Sequence, residues 1–185
     1  MKRCPWVTDD PIYIEYHDHQ WGVPVHDDRM LFEMLILEGA QAGLSWLTVL
    51  KKRDNYRRIF HNFEIDRVAA MTDTELEEAL LDPGIIRNRL KVTSARRNAL
   101  AAQKVIAEFG SLDTYFWQWV DGQPIVNRPK SLEEYAATSE ISDALSKDLK
   151  KRGFNFVGST IIYAFMQAIG MMDDHSADCA LAHSR

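Results

Sequence analysis

Glu38 is the residue whose setting most demands a chemical explanation. It closes the run LFEMLILE, in which Leu31, Met34, Leu35 and Glu38 fall at i, i+3, i+4 and i+7, the stripe a helix turns toward a core. Phe32, Ile36 and Leu37 make the other side apolar too, so the run reads as a buried helix with a carboxylate in its last turn. An ionised carboxylate among such neighbours is costly unless something pairs with it. Gly39, Ala40, Gln41, Ala42 and Gly43 then read as a small-residue loop that lets another backbone or a ligand approach closely. Leu44 and Trp46 are apolar groups with no obvious place in a solvent loop. Carboxylate, loop and indole together suit a pocket for something flat that is polar or cationic. The same residues also fit a helix whose glutamate faces solvent or caps a neighbour.

A second constellation lies at the two ends. Cys4 and His17 are separated by twelve residues, His175 and Cys179 by three. The latter pair stands at i, i+4, where a helical turn would put both side chains on one side. Two thiolates and two imidazoles make a tetrahedral zinc set, and four protein ligands leave no open position for catalysis. The expectation is one structural zinc tying segment 1–17 to segment 175–179, holding Trp6, Tyr13 and Tyr16 against the body. His19, His26, His61 and His183 read as surface residues. With only two cysteines, a reducing compartment disfavours a disulfide between them.

The third constellation is a hairpin. Ile141, Leu145 and Leu149 give a helix from about Ser142 to Arg152, with Lys147, Lys150, Lys151 and Arg152 in its last turns. Gly153 sits where a left-handed residue stops a helix. Residues 153–158 form a tight link, and Ser159 or Thr160 is placed to cap a new helix with stripe Ile162, Phe165, Met166 and Ile169. A glycine-bounded link (Gly153, Gly158), lysines before it and a free helix N-terminus after it suit a phosphate. The pattern looks like a helix-hairpin-helix spanning about 142–170, a module that grips DNA without reading sequence. Asn155 stands at the usual second glycine, and Asn tolerates the left-handed region. An ordinary helical hairpin with a solvated basic face is the alternative.

The elements that must position these groups are helical. From about Asp28 the chain gives helices at Leu31–Glu38, through Trp46 to Leu50, around Tyr56–Phe63, at Asp66–Met71 and at Thr74–Leu81 capped by Thr72 or Asp73. A long helix runs from about Ile86 to Phe109. Residues 1–27 and 121–139 are irregular, and no alternating strand pattern of useful length occurs, so the class is all-α. The 185 residues are 46% hydrophobic and 26% charged, the composition of one globular domain spanning 1–185. The net charge of −5 excludes a broadly basic surface and leaves nucleic-acid contact to local patches and backbone amides. The longest apolar run, 161–172, is broken by Gln167 and too short to span a bilayer, and no secretory signal opens the chain. A cytoplasmic monomer without membrane contact is expected. Of the five Trp, residues 6, 21 and 46 crowd one end, which fits a core or a stacking pocket.

The stretches RCPWV, YHDHQWGVP, LFEMLILEGAQAGLSWLTVLKKR, GIIRNRLK, ALSKDLKKRGFNFVGSTIIYAFMQAIG and a DH followed by Cys179 occur in this order. Together they resemble the constitutive bacterial 3-methyladenine DNA glycosylase I family, over essentially the whole chain. The resemblance implies a helix-hairpin-helix glycosylase fold and a zinc site with Cys4, His17, His175 and Cys179 as ligands. It implies a base pocket of Glu38, Tyr16 and Trp46, with Trp6, Tyr13 and Trp21 at or near it. The implied partner is double-stranded DNA containing alkylated bases, and the implied reaction is hydrolysis of the N-glycosidic bond of 3-methyladenine. Leu44, with Gln41 or Gly43, is then placed to fill the gap left by a flipped base. The wider superfamily uses an aspartate after the hairpin. Bifunctional members add a lysine nucleophile. Asp173 and Asp174 adjoin His175 and are expected to be too constrained to act; the resemblance implies catalysis mainly by recognising a labile substrate, and no lyase activity is expected. A non-catalytic binder of damaged DNA fits the hairpin as well. A zinc hydrolase is disfavoured by the closed ligand set, and a serine hydrolase because GLSW lacks the second glycine of a nucleophile elbow.

Overall fold

The computed structural model describes residues 1–184, and they are overwhelmingly helical. The centre is α2 (Asp28–Ala40), begun by Asp27, whose carboxylate accepts from the Met30 amide at 3.0 Å. Every residue from Leu31 to Ala40 is buried. The helix therefore continues two residues past Glu38, and Gly39 and Ala40 are helical rather than loop. Lys91 accounts for the extension: its Nζ donates to the carbonyls of Ala40 at 2.9 Å and Ala42 at 2.6 Å. These belong to the end of a helix, where carbonyls lack partners in the chain itself.

Ahead of α2 lies α1 (Pro11–His19), with proline at its first position and Asp10 as its cap. After α2 come α3 (Trp46–Lys51), capped by Ser45, and α4 (Arg53–Ile59). A buried ion cluster clamps α4 to α2. Glu33 accepts from Arg53 at 2.6 and 2.9 Å, from Arg57 at 2.7 and 2.9 Å, and from Arg29 at 3.2 Å. The expected helix around Tyr56–Phe63 gives way after Ile59 to a 3-10 turn, because His61, Asn62 and Phe63 all take positive φ. Short helices α5 (Ile65–Ala69) and α6 (Asp73–Ala79) follow, the latter opened by a Thr72–Glu75 capping box.

The long α7 (Arg89–Phe109) starts three residues later than expected, because the Asn88 side chain accepts from the Lys91 amide and fixes the cap there. It leads into α8 (Leu112–Trp117), and α7 and α8 both pack on α2. Two features escaped the sequence pattern: α1 lies within the stretch 1–27 read as irregular, and β1 (Ile125–Val126) pairs in parallel with β2 (Met172–Asp173). Two residues per strand are too few to show a period. Among the described residues no helix is long and apolar enough to cross a membrane.

The hairpin joins α9 (Glu140–Lys151) to α10 (Ser159–Ala168), which packs on both α9 and α2. Gly153 ends α9 at φ +93°. Beyond Gly153, the residue of the link with positive φ is Phe156 (φ 56°), not Asn155. Asn155 is instead clamped by its backbone: its amide donates to Asn98 Oδ1 at 2.8 Å and its carbonyl accepts from Asn98 Nδ2 at 3.1 Å. Nor does Ser159 or Thr160 cap α10. Gly158 holds the cap position, and the Ser159 hydroxyl turns back to Asp143 and Ser142 on α9.

Asn98 is buried on α7, and both its amide atoms serve the hairpin. Asn98→Ala is expected to lower stability by about 2 kcal/mol, the sum of two modest hydrogen bonds and one stranded peptide group. Urea denaturation measures it; a change below about 0.5 kcal/mol would show that α7 does not hold the link.

Candidate functional site

A cavity of about 270 Å³ opens between α1, the end of α2, α3 and α10. It brings together all six residues expected to form one pocket: Trp6, Tyr13, Tyr16, Trp21, Glu38 and Trp46. The walls are aromatic and tilted against one another. The ring of Trp6 lies 5.2 Å from Tyr13 and 4.8 Å from Trp21, and Tyr16 lies 5.4 Å from Trp46. A flat cation against the face of such a ring gains from the aromatic quadrupole. Leu132, Tyr135 and Ala136, before α9, and Ala164 and Gln167, on α10, also line the cavity and were missed in the sequence. The one signal for them was Gln167, a polar residue interrupting an apolar run.

Glu38 is 4% exposed, so a solvent-facing glutamate is excluded. Among the described residues nothing donates a hydrogen bond to its carboxyl and no cation pairs with it. Burial alone pushes it up to about 8. The Tyr16 phenol beside it is raised by burial and by the same carboxylate. The indole N–H groups of Trp6 and Trp46 are buried without acceptors. The Glu38 acid thus stands unpartnered in an aromatic cavity, which native proteins avoid unless a ligand completes it.

The turn after α2 brings the other expected residues to the rim. Gln41 lines the cavity and donates to the Leu44 carbonyl at 3.2 Å. Gly43, at φ +79°, has no atom within 4 Å of where a side chain would start, and Leu44 is 40% exposed. The hairpin abuts the same end of α2: a Cβ on Gly39 would lie 3.2 Å from that of Phe156. Lys150, Lys151, Gly153 and Thr160 are exposed, Gly158 and Ser159 half-buried, and neither lysine has an ion pair among the described residues.

At the chain ends, Cys4, His17 and Cys179 place their ligand atoms within 4.8 Å of one another, all buried. His175 stands outside that trio. It lies in irregular chain after β2, so the helical i, i+4 relation to Cys179 does not exist. Its ring is nevertheless 5.3 Å from that of His17. The chemistry of the donors fits a metal. His17 Nδ1 meets Asp18 at 2.8 Å and His175 Nδ1 meets Asp173 at 2.7 Å, which turns both Nε2 atoms inward. The Nε2 of His175 is buried with no partner. Burial pushes the Cys4 thiol up to about 11, so a thiolate there needs a cation.

Neither aspartate after the hairpin is free. Asp173 is held by His175 and by Arg128 at 3.0 Å. Asp174 accepts from Asn127 at 2.8 Å, Tyr163 at 2.6 Å and Gln167 at 2.8 Å.

The Methyladenine glycosylase family matches residues 6–183 of this chain. DNA-3-methyladenine glycosylase 1 of Escherichia coli (strain K12) is 50% identical over 179 residues, 97% of this chain and 96% of that protein. A crystal structure of 3-methyladenine DNA glycosylase I superposes with a TM-score of 0.94 at 51% identity, covering 97% of this chain and 98% of that one. The Staphylococcus aureus enzyme, solved to explain its 3-methyladenine recognition, gives a TM-score of 0.94 at 37% identity, covering 97% and 96%. On sequence and fold alike, this chain belongs to the methyladenine glycosylase family.

Proposed function

We propose that this protein excises 3-methyladenine from double-stranded DNA, hydrolysing the N-glycosidic bond to give free base and an abasic site without lyase action. The observation that carries the reading is Glu38, a buried carboxyl with no partner inside an aromatic cavity. Methylation at N3 makes adenine a cation and a good leaving group, and an alkylated base unstacks at lower cost. Once swung into the cavity, that cation gives Glu38 the charge partner the protein withholds. The carboxylate then accepts from the exocyclic amine, a donor guanine lacks at that place. Trp46, Tyr16 and Trp6 supply cation–π contact, about 2 kcal/mol or more where water is excluded. With Asp173 and Asp174 committed elsewhere, rate enhancement rests on recognising a labile base rather than on a strong general base.

The reading extends to the surroundings. Lys150, Lys151 and the amides from Gly153 through Gly158, Ser159 and Thr160 grip a phosphate as a helix-hairpin-helix does. Leu44, with Gln41 and Gly43, fills the vacated stack. Cys4, His17, His175 and Cys179 hold one structural zinc that ties the termini and keeps Trp6 and Tyr13 in the pocket wall. A binder without catalysis would gain nothing from a buried, unpaired acid beside the hairpin.

Chromatography of bases freed from methylated DNA tests the central step. Glu38→Gln is expected to lower 3-methyladenine release about 10- to 100-fold, and borohydride to trap no adduct with either protein. Unchanged release would return Glu38 to a structural role. In the wild type kcat/KM should rise with pH and level off above about 8, as the free site ionises, while the Gln variant stays flat. The stability effect has the opposite sign. The raised Glu38 contributes stability below its unfolded value that is lost as pH climbs through about 8. Glu38→Gln should therefore gain Tm relative to wild type as pH increases.

Elemental analysis should find one zinc per chain; less than about half, under non-chelating conditions, would contradict the clasp. Replacing Lys150 and Lys151 together should weaken DNA binding and reduce its salt slope by roughly 2. An unchanged slope would locate the phosphate grip elsewhere.

A further inference from the structure

Gln167 lines the cavity from α10, and its amide is not free to turn. Its Nε2 donates to Asp174 Oδ2 at 2.8 Å. That carboxylate also receives Tyr163 at 2.6 Å and Asn127 at 2.8 Å, so it is surrounded by donors and acts as an acceptor throughout. A flipped Gln167 would set its own carbonyl against the carboxylate, two acceptors face to face. The remaining polar atom of the side chain, Oε1, accepts no hydrogen bond among the described residues. With Nε2 committed, Oε1 is the atom of this lining side chain left to accept from a ligand, in a cavity that already holds the acceptor Glu38.

We propose that Gln167 is a specificity-determining residue for the base, with Asp174 as the positioning residue that fixes its amide. The inference rests on the reading of the cavity as a methylated-purine site. An aminopurine offers an exocyclic N–H to this acceptor. An oxopurine sets a carbonyl there, and the site's acceptor is left facing another acceptor, the arrangement that discriminates most strongly between near-isosteres. Asp174, one of the two aspartates that follow the hairpin, thus serves recognition at one remove.

The test titrates free 3-methyladenine and 3-methylguanine against the intrinsic tryptophan fluorescence of wild type, Gln167→Met and Asp174→Asn. Zinc content and release of 3-methyladenine from methylated DNA are measured on each protein. Gln167→Met, similar in length but without the amide acceptor, is expected to cut the ratio of the two affinities about tenfold. Asp174→Asn, which can donate as well as accept, frees the amide to turn and should cut the ratio in the same direction. A merely structural role would weaken both bases alike, and an unchanged ratio in both variants overturns the proposal. Should wild type release 3-methyladenine while the variants keep their discrimination, this inference alone fails. A wild type that neither binds nor releases either base overturns the reading of the cavity and the inference with it.

Discussion

Burial of a carboxyl group without a counter-charge is the constraint on which this structure turns. The helix α2 carries two glutamates, both buried, and treats them in opposite ways. Glu33 is ringed by Arg29, Arg53 and Arg57, and the hydrogen bonds and charges of Arg53 and Arg57 outweigh burial and hold it down at about 2. Glu38, five residues on, has no such company and rises to about 8. Residue type, helix and burial are the same; only the partners differ. The first is a clamp between helices, satisfied by the protein itself. The second is left for something that arrives from outside, and the aromatic cavity around it suits a visitor that is flat and electron-poor.

Such a group discriminates only if its surroundings stay in place, and α7 supplies the frame. Lys91 and Asn98 stand seven residues apart, two turns along one face of that helix. Lys91 holds the carbonyls where α2 becomes the turn of Gly43 and Leu44; Asn98 holds the peptide of Asn155 in the hairpin. One rigid rod therefore sets the spacing between the rim of the pocket and the backbone amides at the start of α10. Gly39 completes the arrangement from the other side, since a larger residue would press on Phe156. On the proposed function, this frame would keep a strand held at the hairpin in register with a base offered to the pocket.

Much of this was legible in the residues. The stripe from Leu31 to Glu38 and the buried positions of α10 follow the helical period, and Gly153 ends α9 as a left-handed glycine does. The crowding of Trp6, Trp21 and Trp46 near one end proved to be one cavity wall. What was misread depends on contacts across long sequence separations. Asn155 looked like a left-handed residue because of its type, yet Asn98, 57 positions away, fixes it through backbone atoms and passes the positive φ to Phe156. Ser159 looked like a cap, but its hydroxyl finds Asp143 and Ser142 on the preceding helix. His175 and Cys179 were read as one helical turn, whereas the segment that carries them after β2 is irregular. Gln167 appeared only as a flaw in an apolar run, since its partner Asp174 has no local signature.

The most direct measurement is the titration of the Glu38 side chain itself, by carbon-13 NMR of protein labelled at glutamate carboxyls and assigned with the Gln variant. In the free protein the resonance should move with a midpoint near pH 8, and adding a 3,9-dialkylated adeninium, which keeps the positive charge that the free base loses with the glycosidic bond, should shift the carboxyl to its ionised position at neutral pH. A midpoint in the ordinary glutamate range, unaltered by the base, would mean that the acid is solvated or already paired and was not kept for a cation.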